Sequence, residues 1–200
     1  MPKVVDHDQR RRQITDAVCR ITLRGGLAAA TFREVAAEAG VSVRLIQHYF
    51  GTKATLLEIT QQHVGERSIA RLMQWIEATD GSARAVLEAF LKSFVPVDDE
   101  SRVATLMYIA LYTETIVAAL GESADARRTT EAQMAYDAVL EQLKRGPLVV
   151  DVDVHREAQL IMALMPGVGQ YVLDRTITAD DAYAIVDHHL DRLFGPAPPG

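Results

Sequence analysis

Apolar side chains recur every three to four positions through most of this chain, the spacing of amphipathic helices rather than strands. Ile14, Ala17, Val18, Ile21 and Leu23 set the first stripe and predict a helix over 8–24, ended by Gly25 and Gly26. A short helix then opens at Thr31, which with Glu34 has the form of a capping box, and carries a narrow apolar face of Val35, Ala36 and Ala39. Gly40 supplies a turn, Val41 a plug for the angle, and Ser42 a cap for another short helix. In that helix Leu45, Ile46 and Phe50 lean inward, leaving Val43, Arg44, Gln47 and His48 on the exposed face. Gly51 ends it, and Thr52 caps a long helix that holds its stripe from Leu56 to Ile76.

Five further helices are predicted beyond a break at 80–82. Ser82 caps one running to about 94. The stretch 101–120 is apolar around most of its circumference, the mark of a buried central helix. A more polar helix over 122–145 ends at Gly146 and Pro147. Residues 148–154 alternate like a strand but have no second strand to pair with, so they are expected to form an extended loop. Two last helices, over 154–174 and 179–193, are separated by a turn in which Thr178 caps the second. Pro166, Gly167 and Gly169 put a bend and two positions without side chains in the first of these. The expectation is an all-α protein of about nine helices. A three-helix unit occupies 1–53 and a helical body 54–194, and a tail, 195–200, is disordered by composition.

With 200 residues and 48% hydrophobic content the chain can bury a substantial core. Its single cysteine, Cys19, rules out an intrachain disulfide framework and a cysteine-rich metal site. The apolar runs are shorter than the roughly 20 residues that span a bilayer, and the start of the chain lacks the order of a signal peptide. A soluble cytoplasmic protein is expected. The net charge of −6 is unevenly spread: through residue 60, nine Lys and Arg stand against six acids, a local +3 on a body of −9. Such an asymmetry suits a nucleic-acid-binding head on a body that avoids phosphate.

The side chains of residues 31–53 fit DNA chemistry. Arg44 can pair with the guanine O6/N7 edge, Gln47 with the adenine edge, and Val43 can pack on a thymine methyl. Thr31, Ser42, His48, Tyr49 and Lys53 offer donors suited to phosphate oxygens, which fix register rather than sequence. The order Thr31, Val35, Ala36, Ala39, Gly40, Val41, Ser42, Leu45, His48, Tyr49, Phe50, Lys53 resembles the helix-turn-helix of TetR-family regulators. Two positions depart from that pattern, Arg44 where a small residue is common and Gln47 where tyrosine is common, so no operator sequence carries over.

The resemblance implies a homodimer on double-stranded DNA whose body takes a small-molecule effector. In the central helix Thr105, Tyr108, Tyr112 and Thr115 form a hydroxyl stripe, and these, with Trp75 and Met162, are candidate ligand contacts. The family's bundle of terminal helices makes Val168, Gly169, Val172, Tyr183, Val186 and Leu190 the candidate dimer interface. No catalytic constellation, cofactor or metal is expected: the adjacent His188 and His189 point about 100° apart on a helix, and Cys19 sits in an apolar face. The competing assignment is a helical small-molecule-binding or interaction protein that does not touch DNA.

Overall fold

The computed structural model describes residues 7–121 and 130–196, with side chains outside 111–131. The described residues form nine α-helices and no strand: α1 (His7–Gly25), α2 (Phe32–Ala39), α3 (Val43–Phe50), α4 (Lys53–Glu77), α5 (Ala83–Lys92), α6 (Asp99–Gly121), α7 (Thr130–Arg145), α8 (Val154–Leu173) and α9 (Ala179–Phe194). Among them no helix is long and apolar enough to cross a membrane. The tail beyond residue 196 and the start expected for α7, 122–129, lie outside the described residues.

Helix ends follow the caps anticipated from sequence. Ser42, Thr52 and Ser82 each accept a backbone N–H from the first turn of the helix they precede, and Asp153 does the same for α8. Thr31 accepts from the Glu34 amide at 3.2 Å, but its own amide donates to the Ala29 carbonyl at 2.8 Å rather than to the Glu34 carboxylate. The reciprocal box closes instead at Thr178 and Asp181, at the start of α9. Gly40 sits at φ 64°, the left-handed conformation that lets α2 stop and α3 leave at an angle. Residues 146–153 form the expected loop, pinned by the Val149 amide to the Leu193 carbonyl at 2.8 Å.

The chain packs around two main cores. In the head, Ile14, Val18, Val35, Ile46, Phe50 and Leu56 close over one another. Each fully buried Ile or Leu there contributes roughly 1.5–3 kcal/mol. Leu56 belongs to this core, so the head's packing continues past residue 53 into the first turn of α4. In the body, Leu87, Leu91, Leu143, Ile161, Leu190 and Leu193 bring α5, α7, α8 and α9 together. A small third cluster joins the two, with Val64, Val103 and Met107 packed against Cys19, Leu23 and Leu27. Arg67 reinforces the joint, reaching Asp16 of α1 at 3.6 Å and Glu100 of α6 at 2.7 Å.

Candidate nucleic-acid interface and effector cavity

The amphipathic stripe of α3 buries Ile46 and Phe50 in the head core, which turns the opposite face outward. Arg44, Gln47 and His48 are exposed and Val43 is 38% exposed, so all four are available to a groove. Ser42 accepts from the Leu45 amide at 3.1 Å and remains exposed at the same end of the helix. Lys53, at the start of α4, is exposed with its Nζ 3.5 Å from the Ala28 carbonyl. Thr31 is exposed at the α2 cap. Tyr49 is half-buried, and its hydroxyl lies 2.9 Å from His7 Nδ1.

Polar ties hold α1 and α2 in place behind this face. Gln13 donates to the Ala39 carbonyl at 2.7 Å, and Arg10 donates to the Gln13 side-chain oxygen at 2.6 Å. Arg20 donates to Glu38 at 2.6 Å, and Arg24 reaches the other oxygen of the same carboxylate. Those hydrogen bonds, Arg20's first, hold the Glu38 carboxyl below its ordinary range. Arg10 is thus engaged within the head, while Arg11 and Arg12 are exposed. The contacts of His7 with Tyr49 and of Gln13 with the Ala39 carbonyl have no sequence signature, because these partners lie 42 and 26 residues away.

In the body, the described candidate ligand residues, Trp75, Thr105, Tyr108 and Met162, do not line one cavity together. Trp75 lines an open cavity of about 500 Å³ between the end of α4, the outer face of α5 and Tyr183 of α9. Thr105 faces α8 instead: its hydroxyl donates to the Ser101 carbonyl at 2.8 Å, and its methyl lies 3.3 Å from where a Cβ on Gly169 would stand. Tyr108 is 43% exposed rather than turned into a core. Met162 packs against the body core away from the cavity residues. The side chains of Tyr112 and Thr115 lie outside the described ones. Thr105 and Tyr108 therefore do not line this cavity, and α6 turns Val103 and Met107 to the joint.

Charged groups complete the cavity wall. Lys92 binds Glu88 at 2.7 Å and Asp187 at 2.8 Å, with its Nζ 5.4 Å from the Tyr183 ring centre. Arg71 stacks 4.8 Å from the Trp75 ring centre while pairing with Asp98 at 2.7 Å. Both aromatic rings therefore already hold a cation of the chain itself.

The residues expected at the dimer interface differ in burial within the protomer. Val168, Gly169, Val186 and Leu190 are buried within the protomer, and Val172 and Tyr183 are half-buried. A Cβ on Gly169 would stand 2.9 Å from the Phe94 carbonyl oxygen, so this glycine serves the approach of α8 to the turn after α5. Periodicity locates the apolar stripe of a helix but does not say whether the chain or a second copy covers it. The outward face of α8 and α9 carries other residues: Leu160, Ala163, Tyr171, Ala184 and Ile185 are exposed, and Gly167 opens onto empty space.

Comparison with known proteins agrees with this architecture. Residues 14–59 match the family model "Bacterial regulatory proteins, tetR family", and residues 83–195 match "BetI-type transcriptional repressor, C-terminal". Over 101 residues the chain is 35% identical to the HTH-type transcriptional regulator PksA of Bacillus subtilis, covering 50% of this chain and 49% of that one. Over 116 residues it is 31% identical to the regulator BetI of Paraburkholderia phymatum, covering 58% and 59%. The aligned part thus spans half to three fifths of these relatives. Among solved structures, a putative TetR-family regulator from Rhodococcus aligns with TM-score 0.71 at 25% identity, covering 94% of this chain and 99% of that one. A putative regulator from Saccharomonospora viridis, solved in complex with choline, aligns with TM-score 0.78 at 19% identity, covering 92% and 96%. With one family model matching the head and another matching more than half of the chain, this protein belongs to the TetR family of bacterial transcriptional regulators.

Proposed function

We propose that this protein is a one-component repressor that binds a pseudo-palindromic operator as a homodimer and releases it when a small, largely apolar effector enters the cavity beside Trp75. The observation that carries the DNA-binding part is the outward face of α3, where Val43, Arg44 and Gln47 stand clear of the head core while the caps fix the helix. Arg44 and Gln47 are the base readers, and Thr31, Ser42, His48, Tyr49 and Lys53 hold phosphates. Repression is supported by the description of the family matched by the body.

Two copies present their recognition helices to successive major grooves, about 34–36 Å apart. The outward face of α8 and α9 is the dimer surface. Tyr171 is 51% exposed, Leu160 48% and Ile185 37%, an apolar patch a lone protomer leaves in water. Ala163, Gly167 and Ala184 let the facing helices come close.

The effector cavity adjoins the end of α4 farthest from α3, so a ligand there favours one placement of that helix over another. Release then follows as a population shift, provided the ligand binds the two placements unequally. Choline occurs with the Saccharomonospora regulator, but here each of the two rings already has a cation of the chain against it, Arg71 on Trp75 and Lys92 on Tyr183. An uncharged, largely apolar molecule packed against Trp75, Ala85 and Ala89 fits this wall better.

The test is fluorescence anisotropy with the DNA that flanks the protein's own gene. Salt-sensitive, sequence-selective binding is expected, and its absence would sink the regulator reading. Because Trp75 is the only tryptophan, its emission reports effector entry directly. A compound that shifts this emission and lowers operator affinity is the effector sought. One that releases DNA with no change at Trp75 would place the effector site elsewhere.

A further inference from the structure

α1 begins beside the end of α3, and there His7 meets Tyr49. The His7 Nδ1 atom lies 2.9 Å from the Tyr49 hydroxyl, with ring centres 5.7 Å apart and planes tilted by 53°. His48 packs edge-on against the same ring, with centres 5.6 Å apart and planes at 80°. Tyr49 is also packed against the head core, so its ring is held by the core and by both imidazoles. We propose that His7 is the positioning residue for a phosphate contact by Tyr49, and that operator binding takes up a proton at this pair. The inference rests on the DNA-binding reading above and adds a regulatory property to it.

The chemistry follows from counting protons. A phenol has one proton to donate. When Nδ1 of His7 carries none, the Tyr49 proton is committed to it, and the phenol oxygen turns only lone pairs outward, which a phosphate oxygen repels. When His7 is an imidazolium, Nδ1 donates to the Tyr49 oxygen and the phenol proton is free for the phosphate. The added positive charge then sits one hydrogen bond away from that phosphate and polarises the phenol toward it. A neutral ring with its proton on Nδ1 also frees the phenol, but brings no charge to the anion.

Other charged and titratable groups stand near the pair. Along α1 these are Asp8, next in the chain, and Arg10 and Arg11 about one turn on; from α3 they are His48 and Tyr49 itself. A DNA phosphate adds a strong negative partner present only in the complex. A group that holds its proton more tightly in the complex makes binding stronger on the acid side of the histidine range, and the gain is lost as pH rises through it.

The experiment measures affinity for the operator fragment from pH 5.5 to 8.5 at fixed ionic strength. From pH 8 to pH 6 the wild type should tighten about three- to tenfold, the scale of a shift of up to one pK unit on one proton. His7→Ala should lose most of this slope, any remainder belonging to His48. His7→Lys, a permanent donor, should hold acid-side affinity across the range. Tyr49→Phe, which removes the relay but leaves the imidazole, should flatten the slope as well, with unchanged melting temperature showing that the head stays folded. A wild-type slope in His7→Ala overturns the inference. A full slope in Tyr49→Phe does too, because the imidazole would then attract phosphate without the phenol. If the wild type binds no operator fragment at any pH, the regulator reading itself fails and takes this inference with it.

Discussion

Arg44 and Gln47 stand where the family pattern is broken, and both are exposed on α3 with no part in holding the head together. Changing Arg44 to alanine should therefore cost operator affinity about 1–3 kcal/mol, relax preference at one base pair and leave the melting temperature unchanged. Binding titrations on single-base operator variants check this; a loss uniform across all sequences would make Arg44 a phosphate contact. Gly169 is the contrasting residue, invisible on the surface and fixed by a neighbour. A Cβ there meets the Phe94 carbonyl oxygen at 2.9 Å. The resulting overpacking, about 1–3 kcal/mol, exceeds the roughly 1 kcal/mol of helix propensity that alanine adds. Gly169→Ala should thus lower the urea midpoint while preserving the oligomeric state. The scaffold residues of the turn (Thr31, Gly40, Val41, Ser42) were legible in the sequence because capping and left-handed geometry are local demands of a few residue types. Gly169 was not legible, because what it serves lies 75 positions away in the chain.

At the scale of elements, α8 and α9 meet across a buried polar contact that no periodicity announces. Glu157 and His189 are both buried, with the carboxylate 3.0 Å from His189 Nε2 and 3.1 Å from an Arg192 nitrogen. The Nε2 contact lacks hydrogen-bond alignment. Arg192 also approaches Nδ1 at 3.5 Å, where it can donate only to a nitrogen that carries no proton. Burial holds the His189 imidazole below its ordinary range, outweighing the opposite pull of Glu157, with Arg192 and His188 adding to the depression. The unfolded chain takes up this proton more readily than the folded one. Stability is therefore full above the histidine range and falls as pH drops through about 6.5 toward the lower folded value. His189→Gln should lose less melting temperature than the wild type between pH 7.5 and 5.5; an equal loss would locate acid sensitivity elsewhere. On the outer side of the same helices, Ile185→Glu should yield monomers by sedimentation with an intact fold, whereas a surviving dimer would move the interface off this face. The amphipathic pattern identified both helices and their apolar stripes from sequence. It could not separate the side each turns to its own core from the side left exposed, and four of the six residues expected at the interface, Val168, Gly169, Val186 and Leu190, are buried within the protomer.

At the scale of the whole molecule, head and body touch through the small cluster at Cys19, Val64, Val103 and Met107 and the Arg67 ion pairs. Burial, and then Asp16, push the Cys19 thiol up to about 11. A thiol-specific reagent at pH 8 should label it far more slowly than a free cysteine, and any state that opens the joint should accelerate labelling. A rate unchanged by urea below the unfolding transition and equal to that of a small thiol would show the joint already open. Charge and turn signals led to the expectation of a basic head and an acidic body, but the joint and the cavity depend on how α4 packs against α1, α5 and α6, which no local signal gives. That helix also has a mechanical meaning. Its 25 residues make a rod of about 37 Å, with Trp75 near one end and the recognition helix beside the other. Each degree of tilt about the Trp75 end sweeps the far end through roughly 0.65 Å, from that same length. Opposed tilts of about five degrees in two protomers alter the reach of the dimer by about 6 Å, close to two base-pair steps of roughly 3.4 Å. A dimer built on this rod acts as a caliper, and the distance between half-sites is the length it gauges.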